Sequence, residues 1–255
     1  MPDGNGRIEI MDMPIDPTTE EEVVETVGEG VTRGEGGWVI TPNLDHLRLY
    51  QRSEEVREHF DDADLVVPDG MPLVWASRIQ DTPLPERVAG SDLIWSLTEE
   101  AGRRDASLYL VGGNPGTAEA AGEVLREKAP GVTIAGTECP PLGFEQRPGE
   151  LESLAKRIER YDPDIVYVGL PLDKQIALIP RLRRAVPSAW FLGLGVSFSF
   201  VCGEVPRAPR WMQRVGLEWV HRLRQEPRRL FRRYLVDGLP FAARLFAHAA
   251  AQRWS

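Results

Sequence analysis

Long apolar runs are missing from this 255-residue chain. No stretch reaches the roughly 18 uninterrupted apolar residues of a membrane-spanning helix, so any membrane contact is predicted to be peripheral. The first thirty residues are acidic and polar, with neither a basic start nor an apolar segment behind it, which predicts no secretory leader. Cysteine is scarce too. Cys139 and Cys202 lack zinc-type spacing and suit a reducing, cytoplasmic setting as small buried or half-buried residues rather than a disulfide scaffold. The four histidines, His46, His59, His221 and His248, are scattered. No serine, histidine and acid gather in the turns as a hydrolase triad requires. Gly-x-Gly-x-x-Gly does not follow the first strand, which weakens a nucleotide-linked oxidoreductase while leaving it as an alternative.

The charge that is present is unevenly placed. Net charge is −9, yet between Arg207 and Arg233 nine arginines stand against Glu218 and Glu226, so this segment carries +7 and the remainder −16. A body this acidic predicts no nucleic-acid partner, whereas a basic end segment is drawn to an anionic membrane surface.

Short apolar, β-branched runs alternate with longer segments of helical period, which predicts an α/β fold: a Rossmann-like, mostly parallel sheet with helices on both faces. The strand candidates are 38–40, 65–67, 107–111, 132–135, 165–169 and 190–195. Helical stretches lie near 18–33, 44–60, 71–80, 92–104, 116–128, 149–160 and 174–186. Asn43, Ser91 and Asn114 are candidate N-caps, with Pro115 at a first helical position. After about residue 205 the strand alternation stops. Met212, Val215, Trp219, Val220 and Leu223 recur at helical spacing with arginines between them, and Leu230, Phe231, Tyr234 and Leu235 resume the pattern beyond Pro227. The expected organisation is a catalytic body over 1–205 and a basic amphipathic, membrane-associating appendage over 206–255.

Ligands of open parallel sheets bind outside the carboxyl ends of the strands. Thr41-Pro42-Asn43, Pro68-Asp69-Gly70, Gly112-Gly113-Asn114-Pro115-Gly116, Gly169-Leu170-Pro171 and Gly193-Leu194-Gly195 all fall there and predict one crevice. The turn at 112–116 suits a diphosphate cradle, and equally any tight strand-to-helix turn. Asp69 suits a general base, or a cap for the helix beginning near Met71. Asp62-Ala63-Asp64 and Asp162-Pro163-Asp164 have metal-binding spacing, but both precede their strands, at the opposite edge. They are expected to be turn and capping residues, with no required metal or cofactor.

The ordered set of motifs resembles the WecG/TagA/CpsF glycosyltransferases, glycosyltransferase family 26. It comprises Thr41-Pro42-Asn43, the run Ala63 to Trp75 around Pro68-Asp69-Gly70, Glu86-Arg87-Val88-Ala89-Gly90-Ser91-Asp92-Leu93, Leu110 to Gly116, and Arg207-Ala208-Pro209-Arg210-Trp211 through Trp219. The resemblance implies a UDP-sugar donor, a polyprenyl-diphosphate-linked sugar acceptor, and metal-free, inverting transfer of N-acetylmannosamine or its uronic acid. It implies Asp69 as base, Thr41 and Asn43 at the sugar, Thr41 counted with Asp69 as catalytic, and Arg87 on the donor phosphate. Asp92, Gly112, Gly113, Asn114, Gly169, Pro171 and Asp173 are expected at the substrates. Arg214, Arg222 and Arg224 are expected to reach the diphosphate from an appendage at the inner face of the cell membrane. A homo-oligomer through Trp211 and Trp219 is also compatible with the pattern. Two departures keep a non-catalytic, membrane-bound partner protein as a further alternative: the family's Gly-x-Pro-Lys-Gln-Glu reads Gly169-Leu170-Pro171-Leu172-Asp173-Lys174 here, and Phe198 is followed by Ser199 instead of aspartate.

Overall fold

The computed structural model describes residues 6–253, apart from the Arg214 side chain. An antiparallel hairpin, β1 (Ile8–Ile10) and β2 (Met13–Ile15), opens the chain. Then come α1 (Glu20–Arg33), β3 (Gly37–Ile40), α2 (Leu44–Tyr50), α3 (Glu54–Asp61), β4 (Leu65–Val66), α4 (Met71–Ile79) and α5 (Gly90–Arg103). The middle of the chain gives β5 (Ser107–Gly112), α6 (Thr117–Lys128), β6 (Thr133–Glu138), a 3₁₀ turn at Phe144–Gln146, α7 (Glu150–Glu159), β7 (Ile165–Gly169), α8 (Leu172–Ala185) and β8 (Trp190–Gly193). It ends in α9 (Ser197–Val201), α10 (Arg210–Arg214), α11 (Glu218–Gln225), α12 (Pro227–Phe231), a π-helical stretch Arg232–Gly238 and α13 (Leu239–Gln252).

The six longer-range strands form one parallel sheet in the order β4-β3-β8-β7-β5-β6. Strand period explains its two-sided core. Along β7, Val166 and Val168 enter the apolar cluster shared with α8 and α13, while Ile165 and Tyr167 enter the cluster shared with α5 and α6. The Tyr167 hydroxyl, deep in the second cluster, is satisfied at 3.1 Å from Thr98 Oγ1, whereas the Trp190 indole N–H in the same cluster has no hydrogen-bond partner among the described residues. Helix boundaries follow local chemistry. Thr19 and Glu22 close a capping box on α1, and Gly34 ends it at φ 68°. Asn43 caps α2, accepting from the N–H groups of Asp45 and His46.

Four expectations need correction. The start of the chain, where the sequence predicts no strand before 38–40, holds the β1–β2 hairpin, turned by Met11 and Asp12 at positive φ, as a type I′ turn requires. It shields the edge strand: Asp16 N–H donates to Val66 O and Asp16 Oδ2 accepts from Val66 N–H. The helix expected over 44–60 is two, because Ser53 caps a new one by accepting from Val56 N–H. Neither Ser91 nor Asn114 caps a helix. The Asn114 carbonyl instead receives Thr117 N–H in a turn, and α6 starts after Gly116 at φ 86°. The fourth strand runs on to Glu138, carried by a bulge at Leu108/Tyr109.

α13 binds the C-terminal segment to the body, burying Phe241, Leu245 and Ala249 at i, i+4 and i+8, while Phe246 lies 6.4 Å from Trp75 of α4. Trp211, Val215, Leu217, Val220, Phe231, Val236 and Leu239 keep their side chains exposed, in contrast to the body, where only Leu142 and Tyr161 do so among the described residues. No helix among the described residues is long and apolar enough to cross a membrane.

Candidate active site

Two backbone hydrogen bonds build the site before any side chain enters. Asp69 N–H donates to Pro42 O, and Val88 N–H donates to Pro68 O, each at 2.9 Å. The turns after β3 and β4 and the segment entering α5 are thus pinned to one another. Gly70 packs closely there, since a Cβ would come 3.3 Å from Asn43 Cα. Thr41 is buried beside it, with Oγ1 donating to Gly193 O at 3.4 Å.

Asp69 is left uncommitted by this frame. It does not cap α4, whose N-cap is Gly70 with no side-chain hydrogen bond. Its carboxylate sits 3.6 Å from Arg87 Nη1. Arg87 in turn holds Asp92 Oδ2 at 3.0 Å and lies 3.8 Å from Glu218 Oε2 on α11. Arg207 completes the cluster, 2.6 Å from Asp92 Oδ1 and 3.4 Å from Glu218 Oε1. Three carboxylates face two guanidinium groups. Burial pushes Asp69 up to about 7; Arg87 and Arg207 oppose the rise, and Glu218 and Asp92 reinforce it. A carboxylate that ionises near neutrality beside a cation is suited to accept a proton from a hydroxyl.

The other half of the rim is built differently. β5 and β7 end side by side at Gly112 and Gly169, and the helices after them leave to opposite faces, α6 with the second cluster and α8 with the first. That is a topological switch point, where such sheets bind ligands. Gly112 cannot carry a side chain: its φ is 114° and a Cβ would meet Gly169 O at 2.7 Å. Gly113 N–H is already donated to Gly169 O, so it is no free donor for an anion. Asn114, Pro171 and Asp173 are exposed around this turn.

The two halves share an edge but do not touch. Four strand intervals separate β4 from β5, about 19 Å at the usual spacing. The expected convergence of Thr41, Asp69, Arg87 and the glycine turn therefore holds for the first three and fails for the fourth. α11 runs between them. Glu218 at its start joins the Asp69 cluster, and Arg222, one turn on, lies 5.8 Å over the Phe200 ring of α9. Phe198 of α9 fills the space a Cβ on Gly169 would need. Arg222 Nε is buried with no hydrogen-bond partner, Arg224 is exposed, and the Arg214 side chain lies outside the described residues.

Near both departures from the family pattern a polar side chain is fixed by local hydrogen bonds. Gln175 donates to Leu170 O at 2.7 Å and presses on Gly193, so a buried amide bridges the ends of β7 and β8. Ser199 donates to Glu204 Oε2 at 2.9 Å and Thr117 to Glu204 Oε1 at 2.7 Å, which brings a carboxylate beside the glycine turn. The Asp-x-Asp pairs serve the amino edge. Asp64 accepts from Trp38 N–H, Asp164 accepts from Ser107 N–H, and no group of three potential ligand side chains is gathered among the described residues.

The description "Glycosyl transferase WecG/TagA/CpsF family" matches residues 8–255, nearly the whole chain and every element of the site. The chain belongs to this family. Among relatives, an N-acetylglucosaminyldiphosphoundecaprenol N-acetyl-beta-D-mannosaminyltransferase of Bacillus subtilis (strain 168) is 33% identical over 174 residues, covering 67% of this chain and 66% of the relative. A protein of the same description from Bacillus spizizenii (strain ATCC 23059 / NRRL B-14472 / W23) is 30% identical over 197 residues, 77% of this chain and 74% of the relative. Within the family-matching stretch, Gln175, Glu204, Arg207 and Glu218 are site residues not expected as such from the sequence. The signal was available, since Glu218 is one of two acids in an arginine-dense run, and such an acid is placed to meet a buried cation.

Proposed function

We propose that this chain is a peripheral membrane glycosyltransferase that moves N-acetylmannosamine, or its uronic acid, from a UDP-sugar to a sugar carried on a polyprenyl diphosphate. The observation that carries the reading is Asp69, half-buried with 28% of its side chain exposed, held 3.6 Å from Arg87 and poised to ionise near pH 7. The acceptor hydroxyl attacks the anomeric carbon and its proton passes to Asp69. The new C–O bond forms as the bond to the UDP phosphate oxygen breaks, and that oxygen leaves with the electron pair. One displacement inverts the anomeric centre. The nucleoside end lies by Gly112–Asn114 and Glu204, and the diphosphate extends along the rim under α11. Arg222 and Arg87 meet the charge developing on the leaving group, and cations so placed do the work of a metal.

The exposed apolar residues of 211–239, interleaved with Arg224, Arg228, Arg229 and Arg232, lie in the interface of an anionic membrane, at its cytoplasmic face, where the lipid-linked acceptor is found. The test is turnover of UDP-N-acetylmannosamine and of its uronic acid with a short-chain N-acetylglucosaminyl polyprenyl diphosphate, in the presence of EDTA. Transfer with inversion is expected. Absence of transfer from every UDP-sugar tried, or transfer abolished by EDTA and restored by a divalent ion, overturns it.

A further inference from the structure

Behind Arg87, on the side away from the glycine turn, lies a second space. α4, the segment 85–87, the start of α5 and α10 enclose an open cavity of about 460 Å³, a size typical of small-molecule sites. Its lining is mixed. Met71, Val74 and Pro85 supply an apolar wall, Arg78, Arg87 and Arg210 supply guanidinium groups, and Glu86 and Asp92 supply carboxylates, of which Asp92 is held by Arg87 and Arg207 and Glu86 accepts from the Glu20 N–H. Arg87 is spent on Asp69, Asp92 and Glu218. Arg78 and Arg210 are exposed, and neither side chain has an ion pair or hydrogen bond among the described residues. Several arginines of the body, such as Arg33, Arg48, Arg104, Arg157 and Arg181, are spent on acids; what sets Arg78 and Arg210 apart is that both line one cavity. Two unpaired planar forks facing one cavity match the two phosphates of a diphosphate, which each fork can grip through paired N–H···O bonds.

α10 shows which diphosphate. Arg210 and Gln213 line the cavity, and Gln213 anchors the helix by donating to Ala208 O at 2.6 Å. Trp211 and Val215, flanking them in sequence, are 62% and 50% exposed. A ligand with a charged head in the cavity and an apolar tail leaving past α10 fits this arrangement. A nucleotide, which has no such tail, has its own place at the switch point. We propose that this cavity receives the diphosphate of the lipid-linked acceptor, gripped by Arg78 and Arg210, so that acceptor and donor reach Asp69 from opposite sides of Arg87. The assignment rests on the transferase reading for the acceptor's identity, but binding can be measured apart from turnover.

The experiment uses the full chain, R78Q, R210Q and the double variant, each checked for an unchanged melting profile. Calorimetry follows binding of geranyl diphosphate and, separately, of UDP. Wild type is expected to bind geranyl diphosphate, the double variant at least tenfold more weakly, and UDP equally well in all. The acceptor KM should rise by the same factor, with the UDP-sugar KM changed less than twofold. Failure of wild type to bind geranyl diphosphate, equal binding by all variants, or a loss that falls on UDP instead overturns the assignment. Binding lost as expected in a protein that transfers no sugar leaves the cavity assignment standing and removes the transferase reading.

Discussion

Replacing Asp69 by Asn removes a proton acceptor while keeping its size, and three consequences can be worked out. General bases contribute about 10²–10⁴ in rate, so kcat should fall by that factor, with UDP binding little altered because the groups proposed to meet its phosphates, Arg87 and Arg222, are kept. In wild type, the acid limb of kcat against pH should have its midpoint at about 7, falling about tenfold per pH unit below it. The third consequence concerns stability. A carboxyl whose folded value is raised from 3.8 to about 7 favours the fold below pH 4, and that contribution disappears as pH rises through 7. The full difference corresponds to about 4 kcal/mol. With 28% of the side chain in water, about 1–2 kcal/mol is a sounder figure. The Asn variant should therefore melt some 3–8 °C above wild type at pH 8, and at the same temperature near pH 4. Initial-rate assays and scanning fluorimetry across pH 4–9 read all three. A variant with near-normal kcat, or a wild-type limb centred near pH 4, would refute the assignment of Asp69 as a half-buried base.

Arg87→Gln and Glu218→Gln should move the same limb in opposite directions. The first removes a cation that holds the Asp69 value down and shifts the limb to higher pH; the second removes a carboxylate that holds it up and shifts the limb to lower pH. Shifts of the same sign would show that the cluster does not act through charge. His59 is buried edge-on against Trp38, and burial followed by Arg183 lowers it to about 3. Its contribution is present above pH 6.5 and drains away as pH falls towards 3, so His59→Leu should lose about 2 kcal/mol less than wild type between pH 7 and 5 in urea titrations. Trp211→Ser with Phe231→Ser should weaken flotation on anionic vesicles without lowering the melting temperature, since both side chains are more than half exposed. Unchanged flotation would remove these residues from the membrane contact.

The sheet was legible because its signal is local. Buried parallel strands such as Ile165–Gly169 are apolar throughout, and each is followed by a glycine or proline turn. The β1–β2 hairpin was not, because its strands are three residues each and its turn uses Met11 and Asp12 in place of the asparagine and glycine that announce type I′ geometry. The α2–α3 break was present in the sequence as Ser53 ahead of two glutamates, an N-cap signature outweighed by the apolar period running through it.

The site divides along the same line. Thr41, Asn43, Asp69 and Arg87 come from turns that follow strands or enter helices, so their common edge could be read from strand positions alone. Strand order could not, and it is strand order that sets the glycine turn four intervals from Asp69. Nor does charge density along the chain say which arginine of the basic segment turns inward. Packing decides that: Gly216, at φ 69°, lets the turn before α11 lie so close on α4 that a Cβ there would meet Met71 Cβ at 2.8 Å. This approach brings Glu218 to Arg87 and Arg207, where its charge adds to the burial that raises the Asp69 value. The appendage thus reaches the chemistry through a glycine and a glutamate, while most of its arginines face the solvent side where an anionic surface would meet them.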